Sequence, residues 1–323
     1  MADPKNHSFI SNSKIRKFIL SGVIFILPVL IIMILAEYLL TQLDFAEKIK
    51  NQYIEDNSSG IEILFLGSSQ VERAINPEYI VKPSINLANS SQRLYEDFEL
   101  LKRFVKELPN LKVVVIEITF DKLERDHSET ASVVHHKNFK FYNVNTFGRN
   151  LKIQDNFLFH SDPSYFSNQI ESYFTGKQEI VYNKYGFDIN KFHGSYPQAK
   201  FNDSLIKDDS IYIQNIENEI AFLENRKILE NLIQFCASKN LKILVYSPPE
   251  HVRFRELRKP HLVQKYENFI KKLKILHPKI EFYSDTYNTQ FLIEDFYNAN
   301  HLNPDGAKKA SLLLDEEILK KFY

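Results

Sequence analysis

The chain has 323 residues, with 41 Lys and Arg set against 41 Asp and Glu, so its formal net charge is zero. No basic stripe stands out, which argues against nucleic acid as a partner. The single cysteine, Cys236, excludes an internal disulfide framework and a cysteine-based zinc site.

The first informative stretch runs from Phe18 to Ala36, FILSGVIFILPVLIIMILA, 19 residues without a charge. As a helix rising about 1.5 Å per residue it would be roughly 28 Å long, close to the hydrocarbon core of a bilayer. Pro28 inside it is better tolerated in lipid than in water. Lys14, Arg16 and Lys17 precede the run, and Glu37 and Asp44 follow it. The positive-inside rule then puts the N-terminus in the cytoplasm and the chain beyond residue 45 or so outside. A cleaved signal peptide has a shorter apolar part and a small-x-small site, and here no Ala-x-Ala follows. The expected organisation is a cytoplasmic tail (1–17), a single transmembrane anchor (18–41), a polar helical stalk (42–60) and one domain from 61 to 323. The anchor makes a lipid bilayer the first expected partner.

Beyond the stalk, strands and helices alternate. IEILFLG (61–67), SINLA (84–88), LKVVVIEI (111–118), LKILVYS (241–247) and KIEFYS (279–284) read as strands. The third is apolar along nearly its whole length, as a strand covered on both faces is. RLYEDFELLKRFVKEL (93–108), NEIAFLENRKILENLIQFCASKN (218–240), HLVQKYENFIKKLKILH (261–277) and NPDGAKKASLLLDEEILKKF (303–322) read as helices. This alternation predicts an α/β fold with a parallel sheet between two helical layers, in a flavodoxin-like order. Residues 122–210 break it; they are rich in Tyr, Phe, Asn, His and Asp, without a period, and read as a large insertion. His127, His135 and His136 lie there at a spacing that matches no metal site, so they read as part of a solvated loop.

Ligands of open parallel sheets bind at the carboxyl ends of the strands. Three features fall there: Gly67-Ser68-Ser69, NLANSSQ (86–92) and FYNANHLNPDGA (296–307). A serine hydroxyl needs a base within hydrogen-bond reach before it can attack. His301 is the candidate, in a loop that Asn303 would cap and Pro304 would lead into the last helix. Backbone N–H groups at Ser69 and around Ser90-Ser91 are candidate oxyanion donors. YSPPEHVRFRELRKP (246–260) follows the fourth strand and is rich in arginine; it reads as an anion-binding segment or a solvated helix start. No cofactor or metal is implied.

These blocks resemble the SGNH (GDSL-type) hydrolases. FLGSSQ is similar to the family's Gly-Asp-Ser block, with Ser68 in place of Asp. NANHLNPDGA is similar to its terminal Asp-x-x-His block, with Asn298 in place of Asp. The resemblance spans roughly 61–123 and 215–323 and implies an SGNH three-layer sandwich. It implies Ser69 as nucleophile, His301 as base, Asn298 in the place of the acid, and the backbone amides of Ser69 and Ser91 as oxyanion donors. The family's Gly-x-Asn-Asp block is missing; EITFDKLE stands there. With Asn298 replacing a carboxylate, Asp295 or Asp121 could reach the ring instead. Anchor, Gly-Ser-Ser block and insertion together look most like the membrane-anchored subgroup, which acylates cell-envelope polysaccharides beside a membrane-bound O-acyltransferase. The resemblance implies an acyltransferase or esterase outside the cytoplasm, acting between an acyl donor and an envelope polysaccharide. The alternative is a non-catalytic member that binds a glycan or scaffolds such an O-acyltransferase.

Overall fold

The computed structural model describes residues 12–177, 180–202 and 215–322. Residues 1–11 of the expected tail, and 178–179 and 203–210 of the expected insertion, lie outside them. The chain divides into two compact units, Met1–Leu43 with Phe157–Lys177, and Asp44–Asn156 with Gln178–Tyr323.

The first unit holds α1 (Asn12–Gln42), with Pro28 inside it. Its apolar part reaches a mean hydropathy of 3.1, and among the described residues it is the one helix long and apolar enough to cross a membrane. Near its end the Glu37 carboxylate accepts from the backbone N–H groups of Leu158 (3.0 Å) and Phe159 (3.2 Å). These are orphan donors at the start of a short helix, and an acid there satisfies them. The helix Pro163–Thr175 follows, capped by Asp162, whose side chain accepts from Tyr165 N–H, and ended by Gly176 at φ +67°.

The second unit is a three-layer α/β/α sandwich. It begins with α2 (Ala46–Asn57), β1 (Ile63–Leu66), α3 (Ser69–Ala74), β2 (Ser84–Asn86), α4 (Leu94–Phe104), β3 (Val113–Glu117) and α5 (Ser132–Tyr142). After the insertion come α6 (Glu219–Ser238), β4 (Lys242–Ser247), α7 (Pro260–Leu276), β5 (Glu281–Ser284), the short hairpin β6 (Phe296–Asn298) and β7 (His301–Leu302), and α8 (Pro304–Glu317). Strands β1 to β5 form one parallel sheet in the order β2-β1-β3-β4-β5, the flavodoxin-like order expected from the alternation.

Side-chain period builds the two cores. Leu64, Leu66, Val114, Ile116, Ile243 and Val245 pack with Leu101 and Phe104 of α4, Leu229 and Leu232 of α6, and Leu273 of α7. Ile63, Phe65, Val113, Val115, Leu244 and Tyr246 point the other way, onto Val71 and Ala74 of α3 and Ala310 and Leu314 of α8. The apolar runs are therefore alternating patterns in which both faces are buried. Each such side chain contributes about 1.5–3 kcal/mol on full burial.

Two expectations change. The segment 42–60 is no solvated stalk: α2 belongs to the sheet unit and sends Ile54 into a core. Two of its polar residues are buried as well: Lys50 Nζ donates to Ala88 O at 3.0 Å, and Glu47 accepts from Asn89 at 2.6 Å. His135 and His136 are no solvated loop either. They are buried in α5, ended by Asn143 at φ +54°.

Candidate active site

The site forms where β1 ends. Gly67 has no room for a side chain: a Cβ would lie 2.6 Å from Glu117 Oε2 and 2.9 Å from Val71 Cβ. Glu117, the last residue of β3, is buried and receives Ser68 twice, at 2.5 Å from its backbone N–H and 2.8 Å from its hydroxyl. Ser68 also caps α3, accepting from Gln70 N–H at 3.3 Å. The turn is thereby fixed from both sides, and Ser69 begins the helix just beyond the carboxyl end of β1.

His301 Nε2 lies 2.7 Å from Ser69 Oγ, although the two are 232 positions apart in sequence. His301 Nδ1 lies 2.8 Å from Asn298 Oδ1. Asn298 and His301 are cross-strand partners in the antiparallel β6–β7 hairpin, which is why a three-residue spacing puts them face to face. Asn300 N–H donates to the same Asn298 oxygen at 3.3 Å, which sets the amide with oxygen toward the ring. The ring must then carry its proton on Nδ1 and accept from Ser69 on Nε2. Asn303 caps α8 through Gly306 N–H at 3.0 Å, with Pro304 in its first turn, and steadies the segment carrying the histidine.

Neither Asp295 nor Asp121 reaches the ring, both of whose nitrogens are already engaged. Asp295 is committed to Lys309 Nζ (2.5 Å) and Leu292 N–H (2.8 Å). Asp121 is committed to Arg125 (3.2 Å) and Thr119 (3.2 Å). Ser91 stands at φ +66°, in the left-handed region, directly before Gln92, whose N–H closes the turn on Asn89 O at 3.1 Å. Ser90 Oγ donates to Glu72 at 2.7 Å and Asn89 N–H to Gly67 O at 3.2 Å, tying this turn to the serine turn.

The surroundings are cationic. Arg73 follows Ser69 by one helical turn and lies over the Tyr297 ring, 4.6 Å from its centre. Lys191 approaches the same ring at 5.8 Å. Gly194 packs so tightly on Tyr297 that a Cβ would lie 2.1 Å from its carbonyl oxygen. Withdrawal of the His301 ring from water, then Arg73 and Lys191, hold its pKa well below the ordinary histidine value. A cavity of about 80 Å³ lies beside the pair, lined by neither Ser69 nor His301; its walls are Glu72, Arg73, Ser90 and Leu302 and, from the insertion, Asp188 and Lys191. The insertion wall is a turn in which Asn183 N–H meets Phe187 O and Ile189 N–H meets Val181 O.

Two of the three arginines after β4 are used internally. Arg258 is buried with both carboxylate oxygens of Glu250 within 2.5 Å, and Arg255 donates to Thr286 O at 2.5 Å. Glu96, His127 and His135 bring three potential donor atoms within 4.8 Å of one another, away from the serine. His127 Nδ1 pairs with Glu96 at 2.5 Å, while His135 Nδ1 meets the Thr146 hydroxyl at 3.1 Å. Glu117, Arg73, Tyr297 and Lys191 carry no role in the sequence reading. Only Glu117 has a sequence signal, as the one acid inside an otherwise apolar strand.

No family model matches the chain, and no curated protein matches it. Among solved structures, the chain is similar to a protein from Streptococcus pneumonia provisionally assigned as a platelet activating factor, at 14% identity and TM-score 0.40, covering 91% of this chain and 99% of that one. It is also similar to a protein from Bacteroides fragilis provisionally assigned as an acylhydrolase, at 11% identity and TM-score 0.40, covering 84% and 96%. Both likenesses are distant, and the chemistry of the site rests on its own geometry.

Proposed function

We propose that this protein is a membrane-anchored, SGNH-like acyltransferase or esterase that works through a Ser69–His301 pair. The observation that carries this reading is the 2.7 Å contact between Ser69 Oγ and the unprotonated Nε2 of His301. On attack, the Ser69 oxygen bonds to the acyl carbon and its proton passes to His301 Nε2. The backbone N–H groups of Ser69 and Ser91 receive the oxyanion. Collapse breaks the bond to the leaving group, which takes the proton back from His301, and leaves acyl-Ser69. Water or a sugar hydroxyl then gives its proton to His301 and attacks the acyl carbon; the bond to Ser69 breaks, and the Ser69 oxygen takes that proton back from His301 Nε2. Asn298 holds the tautomer but cannot neutralise the imidazolium as a carboxylate does.

The anchor and the charges flanking it support a single-pass protein with its N-terminus in the cytoplasm and its sheet domain outside. An envelope polysaccharide as acceptor, beside a membrane-bound O-acyltransferase, is the setting that the sequence blocks suggest. The second reading, a glycan-binding or scaffolding protein without turnover, is favoured by Asn298 and by the missing Gly-x-Asn-Asp block. Hydrolysis of p-nitrophenyl acetate by the full chain in detergent, beside Ser69→Ala, separates the two. Loss of the rate in the variant supports the enzyme; equal rates leave only the binding protein.

A further inference from the structure

We infer that Arg73 and Lys191 form a binding site for an anionic group, a carboxylate or a phosphate, carried by the substrate beside its acyl bond. This rests on the acyl-transfer reading of the Ser69–His301 pair and names the substrate class for it. Arg73 lies one turn of α3 beyond Ser69, on the same face, and Lys191 comes from the insertion; both sit at the Tyr297 ring and both wall the cavity. Among the described residues neither makes a side-chain ion pair. Glu72 and Asp188 act on Lys191 only at longer range, and Glu72 is held by Ser90. A guanidinium whose fork is not taken up by a carboxylate, next to an ammonium, fits an oxyanion in bidentate fashion. Tyr297 and Gly194 fix the platform on which the two cations stand.

The same cations explain a feature that is a handicap in an empty site. Arg73 and Lys191 disfavour the imidazolium that His301 must become during attack, and among the described residues no carboxylate faces the ring to offset them. Arg73 faces it from α3 and Lys191 from the insertion; Asn298 and Ser69, its hydrogen-bond partners, are neutral. Burial and Arg73 push Lys191 itself down, with Glu72 and Asp188 opposing. An anion seated between the cations offsets both charges, and the histidine becomes a better base only when such a substrate is bound. The substrate would thereby supply part of the electrostatic role that the residue at 298 does not.

The test is the His301 titration in the full chain, in detergent micelles with ¹³C-labelled histidine, its resonance assigned by its loss in His301→Gln. Acetate and methyl phosphate are added in separate arms, with chloride at matched ionic strength as control. The His301 midpoint is expected to rise by about one pH unit or more with the fitting anion and not with chloride. The arm that acts at lower concentration identifies carboxylate or phosphate as the ligand. Arg73→Gln and Lys191→Gln, singly, are expected to start from a higher midpoint and respond less. A wild-type midpoint that neither anion moves overturns the inference, without relying on any variant to fold. Kinetics keep this failure apart from failure of the reading beneath it. Ser69-dependent cleavage of p-nitrophenyl acetate with no gain for 4-acetoxybenzoate removes the anion site and leaves the enzyme. Equal neutral-ester rates in wild type and Ser69→Ala remove the enzyme, while the titration still decides the anion site.

Discussion

Asn298 and His301 face each other across the β6–β7 turn, and an amide oxygen, not a carboxylate, receives the ring's Nδ1–H at 2.8 Å. The pair does half of what a Ser-His-Asp arrangement does: it orients the ring and fixes the tautomer, but adds no negative charge. In a serine protease the change from Asp to Asn costs about 10⁴ in turnover, largely because the wrong tautomer results. Here the tautomer is right, so the deficit is smaller. Asn298→Asp is expected to raise kcat for a simple ester about 10- to 100-fold, and Asn298→Ala to lower it by about 10-fold. A fall in kcat on introducing the carboxylate would contradict the view that Asn298 lacks only a negative charge.

The serine turn depends on a buried acid. Replacing Glu117 by Ala strands the Ser68 N–H and hydroxyl, now bonded at 2.5 and 2.8 Å, and is expected to cost about 1–3 kcal/mol. Gly67→Ala drives a methyl into the same carboxylate, at 2.6 Å from Oε2, with a loss of about 1–3 kcal/mol. Denaturant unfolding measures both; wild-type midpoints would refute the strut. Both variants should also lose ester hydrolysis beyond what unfolding explains, because Ser69 is aimed by this turn.

The sheet order, the long apolar N-terminal helix and the Ser and His blocks are legible in the sequence because each leaves a local mark. An apolar run reports burial, and a glycine-serine stop after a strand reports a tight turn. What brings Arg73, Lys191 and Tyr297 together leaves no such mark, since they come from a helix, an insertion and a hairpin. Segment 42–60 misleads for a related reason. Glu47 and Lys50 have the look of a solvated face, yet Asn89 and the Ala88 carbonyl partner them inside the fold. Asp295 and Asp121 are attractive from sequence proximity and motif alone, but cations elsewhere claim them.

In the first unit, Glu37 satisfies two amides at the start of Leu158–Ser161. Removing the acceptor with Glu37→Ala is expected to weaken that helix start by about 1 kcal/mol and to speed proteolytic cleavage within 157–177 in detergent. Glu37→Gln, which keeps one oxygen, is expected to fall between. Cleavage at the wild-type rate in both variants would contradict the cap.

The histidine cluster sets a pH dependence with two windows. Burial, together with His127, His136 and Arg149, pushes His135 down to about 4 against the pull of Glu96. The unfolded chain takes up a proton near pH 6.5 that the native site refuses until about pH 4, so stability falls as pH drops through that interval. The loss is at most about 3 kcal/mol. Burial opposes the charge on His127, but the Glu96 hydrogen bond and charge, with the Phe147 carbonyl, hold its pKa above the ordinary value. Its contribution is present below the unfolded pKa and is lost as pH rises through the folded one. His135→Gln is expected to flatten the acid side of a melting-temperature profile and leave the other side. An unchanged acid slope would contradict the assignment.

Covalent capture reads the central claim without knowledge of the substrate. The full chain is treated with a fluorophosphonate and the adduct located by peptide mass spectrometry, in wild type and in His301→Ala. One adduct is expected, on Ser69, formed at least about 100-fold more slowly when the imidazole is gone. No adduct on Ser69, or labelling at the same rate without His301, would contradict that claim.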